Sequence, residues 1–187
     1  MLFTTILGLV SLSFIPLASS IAIPDEMYCR EPVVVSTSYV GQNKNVKMEV
    51  LQCDTIDPHI IADSLVKRQT STNVCGATCN TNCFAPSGGG PNPNDCNVIE
   101  NALRYDAQNI GNQFQVRSAN NTGAIAMTYA TCKTFIDNLV GGNLTYCRND
   151  WATVLHWVAW NCQATQNAHG GNCFAVDQRW LIQVNTA

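Results

Sequence analysis

The sequence predicts an α+β fold: a two-layer α/β sandwich in which one antiparallel sheet carries two helices on one face, stapled by disulfides. Two observations predict it. The chain has ten cysteines in 187 residues, and eight of them lie in the final 119, an even number that suits a disulfide framework. Over the same part, the spacing of the apolar residues predicts a helix followed by two strands, and then the same order again. This order suits helices packed on an antiparallel sheet.

The first 20 residues are typical of a secretory signal peptide. An apolar run without charged side chains ends in Pro16 and the small residues Ala18, Ser19 and Ser20, as signal peptides do before their cleavage site. A membrane anchor is the alternative, but a spanning helix needs about 20 apolar residues, and threonines, serines and Pro16 interrupt this run. We therefore expect a secreted, extracellular protein that does not insert into a membrane.

A dibasic pair divides the rest of the chain. Lys67-Arg68 ends a stretch that is richer in charge than the sequence downstream, and polar residues follow it. Exposed, flexible segments of this kind are where processing proteases cut. We predict a propeptide at 21–68, removed by a kexin-type protease of a fungal secretory pathway, and a mature cysteine-rich domain at 69–187. An accidental surface Lys-Arg pair is the alternative, and the pattern gives no role to Cys29 or Cys53.

The cysteines of the predicted mature domain indicate disulfides rather than a metal site. Zinc sites usually show C-x-x-C pairs or nearby histidines, whereas this chain has C-x3-C-x3-C, with His156 and His169 far from it. Eight cysteines allow 105 pairings, and the sequence does not choose among them. The cysteines predicted to form disulfides are Cys75, Cys79, Cys83, Cys96, Cys132, Cys147, Cys162 and Cys173.

Local patterns predict the elements in order. Segment 75–94 has few apolar residues and is predicted to be a loop held by its cysteines. A first helix is predicted from a cap at Asn94 or Asp95 to Ile110, with Gly111 as its stop. The remaining predictions are a hairpin of 113–118 with 125–129, a short helix at 132–139, a second helix capped at 149–150 and continuing to 162, and a second hairpin of 173–176 with 180–184.

Charge and motifs exclude several functions. The predicted mature domain has five basic and six acidic side chains, so it lacks the basic stripe of a nucleic-acid binder. It contains no G-x-S-x-G, Walker or H-E-x-x-H motif. Glu100 and Arg104 have the spacing of an ordinary surface ion pair, and nothing in the sequence brings His156 or His169 to them as a nuclease would require. We predict no catalysis, no metal and no cofactor.

Aromatic residues are the first candidates for ligand binding. Trp157 and Trp160 fall away from the helical stripe of Trp151 and Leu155, and Tyr105 falls away from the stripe of the first helix. This apolar strip could be covered by the cysteine-rich loop or the neighbouring helix, could mediate self-association, or could bind a ligand, because flat rings suit the apolar faces of sugars.

The turn of the second predicted hairpin is a second candidate. Asp177, Arg179 and Trp180 combine hydrogen-bonding groups with an aromatic ring; the alternative is a plain polar turn with Trp180 in the core. Two N-x-T sequons predict glycosylation of Asn120 and Asn143, as expected for a secreted glycoprotein.

Several stretches resemble a family of small secreted basidiomycete proteins typified by the glycan-binding lectin of ink-cap mushrooms. The residues that carry the resemblance are Pro91-Asn92-Pro93-Asn94-Asp95-Cys96, Tyr146-Cys147, Asp150-Trp151, Asn161-Cys162-Gln163, Gly170-Gly171-Asn172-Cys173 and Asp177-Gln178-Arg179-Trp180. The resemblance implies a two-layer α/β domain that binds complex carbohydrate without a cofactor and forms a homodimer through sheet edges.

The prediction is therefore a secreted glycan-binding protein, a lectin, without catalysis. The alternative is a killer-toxin-like or effector-like secreted protein that acts on a target cell through a protein partner. Small disulfide-rich α/β domains and dibasic processing are common to both classes, so binding to glycans, as opposed to growth inhibition without sugar competition, would separate them.

Overall fold

The structure is a computed structural model that describes residues 32–53, 72–105, 111–117, 123–140 and 142–187. The predicted signal peptide, the pair Lys67-Arg68 and the sequon at Asn120 lie outside the described residues, as does Cys29.

The described part of the chain contains nine strands and two α-helices. In chain order they are β1 (Val33–Val40), β2 (Val46–Gln52), β3 (Cys79–Cys83), α1 (Pro93–Arg104), β4 (Gln113–Val116), β5 (Gly123–Tyr129), β6 (Cys132–Asn138), β7 (Leu144–Cys147), α2 (Arg148–Asn161), β8 (Gly171–Ala175) and β9 (Trp180–Thr186). Seven strands form one sheet in the order β1-β2-β5-β6-β9-β8-β3, with every neighbouring pair antiparallel, and β4 pairs with β7. The predicted α+β, disulfide-rich fold is confirmed.

Both helices pack on the same face of the sheet. Side chains alternate between the two faces of a strand, and one set from the central strands joins the apolar stripes of the helices in a single core. Its members include Ile99 and Leu103 of α1, Leu155 and Val158 of α2, and Ile125, Ile136 and Ile182 of the sheet. No helix in the described ranges is long and apolar enough to cross a membrane.

The other face of the sheet is also buried at its centre. Leu51, Ala124, Ala126 and Phe135 form a second apolar cluster there with Cys53. Asp137 follows Phe135 at a spacing of two in β6 and therefore lies on the same face. Asp137 is only 3% exposed.

Segment 132–139 is not a helix, and that prediction was wrong. It forms β6, which pairs with β5 from Tyr129 opposite Cys132 to Gly123 opposite Asn138. The segment is buried on both faces of the sheet. Its apolar residues Cys132, Phe135, Ile136 and Leu139 have helical spacing rather than the alternation of a strand. A turn at Ala130, which has a φ of 46°, closes the hairpin.

The first predicted hairpin also has the wrong partners. β4 pairs with β7 rather than with β5, so that Phe114 lies opposite Tyr146. Alternation correctly identified strands at 113–116 and 123–129, but it carries no information on which strand is adjacent. The second predicted hairpin is confirmed, since β8 pairs with β9 and Phe174 lies opposite Leu181.

Boundaries differ at both helices and in the cysteine-rich loop. The N-cap of α1 is Asn92, whose side chain accepts a hydrogen bond from the Asn94 amide. Asp95 instead accepts from the backbone N–H and hydroxyl of Thr131, at 3.1 and 2.6 Å. Helix α2 starts directly after β7, with Cys147 as N-cap. Within the predicted loop, residues Cys79–Cys83 form β3 at one edge of the sheet.

Four disulfides, each between two cysteines that the structure describes, tie these elements together. They are Cys75–Cys147, Cys79–Cys173, Cys83–Cys162 and Cys96–Cys132. All eight cysteines of the predicted mature domain are therefore paired with one another, as expected. Two of the bridges fix edge strand β3, one to β8 and one to the end of α2.

The predicted propeptide contributes to the same sheet. Strands β1 and β2 form a hairpin, and β2 pairs with β5 over Lys47–Gln52. Val46 at the start of β2 is completely buried in the core. Residues 32–53 of the predicted propeptide are thus part of the fold.

Candidate functional site

The exposed side of α2 carries two large aromatic side chains. Trp157 and Trp160 retain 44% and 47% of their surface exposed, because the core stripe of α2 consists of Trp151, Leu155 and Val158 on the opposite side. Neighbouring elements therefore cover only part of the predicted aromatic strip. Isolated exposed apolar residues are common, but these two indoles lie three residues apart, on neighbouring positions of the helix surface.

A charged cluster lies beside these rings. Glu100 of α1 accepts a hydrogen bond from Arg104 Nε at 3.1 Å and lies 2.8 Å from Nδ1 of His156 on α2. Arg104 also donates to the hydroxyl of Thr153 at 3.3 Å. The cluster exists because α1 and α2 run antiparallel. This packing places Glu100 next to His156 and Arg104 next to Thr153. The ring of His156 in turn lies 6.3 Å from that of Trp160, centroid to centroid.

The chemistry of this cluster is that of a hydrogen-bonding surface. Each carboxylate oxygen of Glu100 contacts a nitrogen of a neighbouring side chain. Because an ionised carboxylate can only accept hydrogen bonds, its contact with His156 is a hydrogen bond in the tautomer that has its N–H at Nδ1. Nε2 is then the His156 nitrogen that remains to bond a ligand. Arg104 brings further N–H donors. We call Trp157, Trp160, His156, Glu100 and Arg104 the α2 surface.

Tyr105, the third predicted aromatic residue, does not belong to the α2 surface. It ends α1 beside the start of α2, where its carbonyl accepts from Nη1 of Arg148 at 3.0 Å. Helix geometry separates residue 148 from Trp160 by about 18 Å along α2. Tyr105 and the two tryptophans are thus at opposite ends of the helix pair.

The second predicted patch is mostly internal. Trp180 has no exposed surface, and its ring packs 4.8 Å from that of Tyr146. It is therefore a core residue, the alternative that the sequence left open, and we no longer assign it to a ligand surface. Asp177 and Arg179 form an ion pair, with Nη2 of Arg179 2.7 Å from the carboxylate. This pair stabilises the turn between β8 and β9, and its charges compensate each other.

Other candidate sites are ruled out or too small. The one possible metal group among the described residues is Cys75, Cys147 and Asp150, but its two sulfurs form a disulfide, and Asp150 accepts a hydrogen bond from the Gly76 amide at 2.7 Å. An apolar cavity of about 100 Å³ lies between the β1–β2 hairpin, α1 and Trp151. Its volume is well below the roughly 300–1,000 Å³ of typical small-molecule sites.

The sequon residue Asn143 is exposed, as glycosylation requires.

Sequence reasoning found the tryptophans of the α2 surface and missed their polar neighbours. The helical stripe alone placed Trp157 and Trp160 outside the core. Glu100 and His156 are 56 residues apart, and no local spacing signals that they meet. The i,i+4 pair of Glu100 and Arg104 was visible in the sequence, but only the packing of α1 against α2 makes it part of a larger site.

Comparisons with known proteins add no relative. A scan against protein-family models finds no match to this chain, and no curated protein and no solved structure matches it. The resemblance to ink-cap lectins therefore remains a prediction.

Proposed function

We propose that this chain is a secreted glycan-binding protein, a lectin that recognises complex carbohydrate through the α2 surface without catalysis. The observation that supports the proposal best is the pair of half-exposed indoles beside a hydrogen-bonding cluster. An indole offers a flat apolar face to the C–H groups of a sugar, while His156, Glu100 and Arg104 offer donors and acceptors to its hydroxyls. Both kinds of group are needed, because a sugar ring has apolar faces and a polar rim.

The shape of the α2 surface suggests the kind of glycan. The site is built on the outer sides of two helices rather than in a cleft, so a ligand would keep much of its surface in water. An extended oligosaccharide that contacts both rings and the charged cluster suits such a surface better than a single sugar unit. We therefore propose a branched or linear oligosaccharide as the ligand.

The charged cluster has the residue types of a hydrolase active site, but its arrangement argues against hydrolysis. A base, an acid and a cation converge at His156, Glu100 and Arg104, as phosphoryl or glycosyl chemistry would require. However, Nδ1 of His156 and the Glu100 carboxylate contact each other, and the exposed helix surface does not exclude water as a catalytic site does. Binding without turnover is the function that we propose.

Secretion and self-association belong to the same proposal. Four disulfides suit an oxidising compartment. The homodimer implied by the resemblance would use a sheet edge, and edge strand β1 exposes Val33, Val34 and Val35 at 50–61%, a surface on which a second copy could pair.

The test is a glycan-array screen of the oxidised protein, followed by titration of the best ligand against variants. Trp160→Ala should weaken binding at least about tenfold, since removal of an aromatic anchor commonly costs 2 kcal/mol or more. Tyr39→Ala is the matched control, because Tyr39 is an aromatic residue on β1 with 59% of its surface exposed. It should bind as the unmodified protein does.

Three outcomes discriminate among the functions. Binding unchanged in Trp160→Ala would remove the α2 surface from the proposal. Hydrolysis of the bound glycan, detected by mass spectrometry, would contradict the absence of catalysis. A blank array from folded protein that inhibits cell growth without sugar competition would favour the toxin-like or effector-like class.

A further inference from the structure

We propose that the β1–β2 hairpin stays bound after cleavage at Lys67-Arg68, so that the mature protein consists of two chains held together without a covalent link. The hairpin would form the edge of the sheet in the mature protein as it does in the precursor. The proposal rests on the dibasic cleavage predicted from the sequence, and it does not depend on glycan binding.

The hairpin is joined to the rest of the protein by a regular β-ladder. Six consecutive residue pairs connect β2 with β5, from Lys47 opposite Thr128 to Gln52 opposite Gly123. β1 pairs with β2 almost along its full length, so the hairpin forms a two-stranded unit that attaches to the sheet through one side.

Apolar packing adds to the ladder. Val46 has no exposed surface and Leu51 only 6%, and they lie in the clusters on the two faces of the sheet. The turn between the strands is also fitted closely against α1. A Cβ added at Gly41 would lie 2.9 Å from the Cβ of Ala102, and the φ of Gly41 is +88°. The contact thus involves both sheet faces and a helix.

Loss of the hairpin would convert β5 into an edge strand for which it is poorly suited. Ala124, Ile125, Ala126 and Met127 of β5 are all buried. Without β2, the outward backbone groups of this strand would lose their partners, and its apolar side chains would gain exposure. Proteins avoid long apolar edge strands of this kind because they pair with other chains. Retention of the hairpin keeps β5 inside the sheet.

The four described bridges leave this attachment non-covalent. They use the eight cysteines from Cys75 to Cys173 and pair them only with one another. Cys53, at the end of β2, is itself in a disulfide, but its partner is none of those eight. Cleavage between Cys53 and the first residue of the predicted mature domain would therefore leave the ladder and the packing as the attachment.

The experiment uses the secreted full chain, treated with a purified kexin-type protease under native conditions. Size-exclusion chromatography with mass spectrometry should show one native peak that contains two polypeptides. The same sample should separate into two chains in denaturant without reductant. Elution of the 69–187 chain alone would overturn the proposal, and so would a folded chain that the protease leaves intact at Lys67-Arg68.

A matched pair of variants tests the physical reason. Val46→Asp places a charge in the core, and after cleavage it should release the hairpin from the native peak. Tyr39→Asp is the control, because Tyr39 on β1 is 59% exposed and lies outside the Val33–Val35 edge, and this variant should keep the hairpin bound. If Val46→Asp fails to fold, Val46→Ala serves instead and should lower the denaturant concentration at which the two chains separate. Equal retention in the Val46 variants and the control would contradict the proposed role of packing.

Discussion

Replacement of Asp137 by Asn should stabilise the folded chain at alkaline pH and have little benefit in acid. Asp137 lies in β6 between Ala124 of β5 and Leu181 of β9. Neither of its carboxylate oxygens has a hydrogen-bond partner among the residues that the structure describes. Burial without compensation raises the pKa of this carboxyl from 3.8 to about 8, because a charge is poorly solvated there.

The sign and size of the effect follow from linkage. Between pH 3.8 and about 8 the folded chain retains the Asp137 proton that the unfolded chain has released, so the free energy of unfolding decreases as the pH rises through this interval. Above pH 8 the cost is complete. At about 1.36 kcal/mol per pKa unit, its ceiling is about 6 kcal/mol, and local relaxation reduces it. Asparagine has nearly the same shape and cannot ionise, so it avoids this pH-dependent cost.

Guanidinium unfolding of the oxidised full chain at pH 4.5, 6.5 and 8.5 would measure the effect. The stability difference between Asp137→Asn and the unmodified protein should grow with each step in pH in favour of the variant. Asp177→Asn is the matched control, since that carboxylate is paired with Arg179, and it should give no stabilisation at pH 8.5. A difference for Asp137→Asn that stays constant across the three pH values would refute the reasoning.

Three further predictions concern the scaffold. Removal of the Cys96–Cys132 bridge by paired alanine substitutions should cost about 4 kcal/mol, from the loop entropy of a 36-residue separation; an unchanged unfolding midpoint would contradict it. Arg148→Met should lower the free energy of unfolding by about 3 kcal/mol, because the buried guanidinium donates to three backbone carbonyls around the end of α1. A decrease smaller than the experimental error of the unfolding measurement would show that these carbonyls find other donors. Gly170→Ala should cost about 2 kcal/mol or more, since the new Cβ would lie 2.4 Å from a β9 carbonyl oxygen at a φ of +109°. Gly111→Ala should be nearly neutral in the same assay, because among the described residues the atom nearest to its new Cβ is the Gln113 nitrogen at 4.0 Å.

Local patterns predicted the parts of this fold that depend on local interactions. The stripe of Trp151, Leu155 and Val158 was sufficient to place α2 and its exposed tryptophans, because a helix repeats every 3.6 residues whatever it packs against. The β8–β9 hairpin was equally visible, since its strands are joined by a short turn at 177–178.

The same patterns failed where burial or pairing was decided at a distance. Segment 132–139 was mistaken for a helix because β6 is buried on both faces, which removes the alternation that marks a strand. The predicted partner of β4 was wrong because its true neighbour, β7, comes 28 residues later in the chain. Strand β5 lies nearer in the sequence and was chosen for that reason. The position of β1 and β2 at the edge of the sheet was not predicted at all.

The candidate site shows the same division. The sequence identified Trp157 and Trp160 from one helix, and it suggested the Glu100–Arg104 pair from another. It could not show that His156 lies 2.8 Å from Glu100, which depends on the antiparallel packing of α1 and α2. It also left Trp180 open between a ligand surface and the core, and only the structure shows that β9 carries that ring into the core.

By itself, the sequence determined an α+β, disulfide-rich fold and the exposed aromatic side of α2, because cysteine content and helical period are properties of single segments. The tertiary structure alone decided the four disulfide pairings, the charged neighbours of the tryptophans and the inclusion of the β1–β2 hairpin in the sheet. Each of these joins residues that are distant in the chain, and their proximity results from how the whole core packs rather than from any local preference.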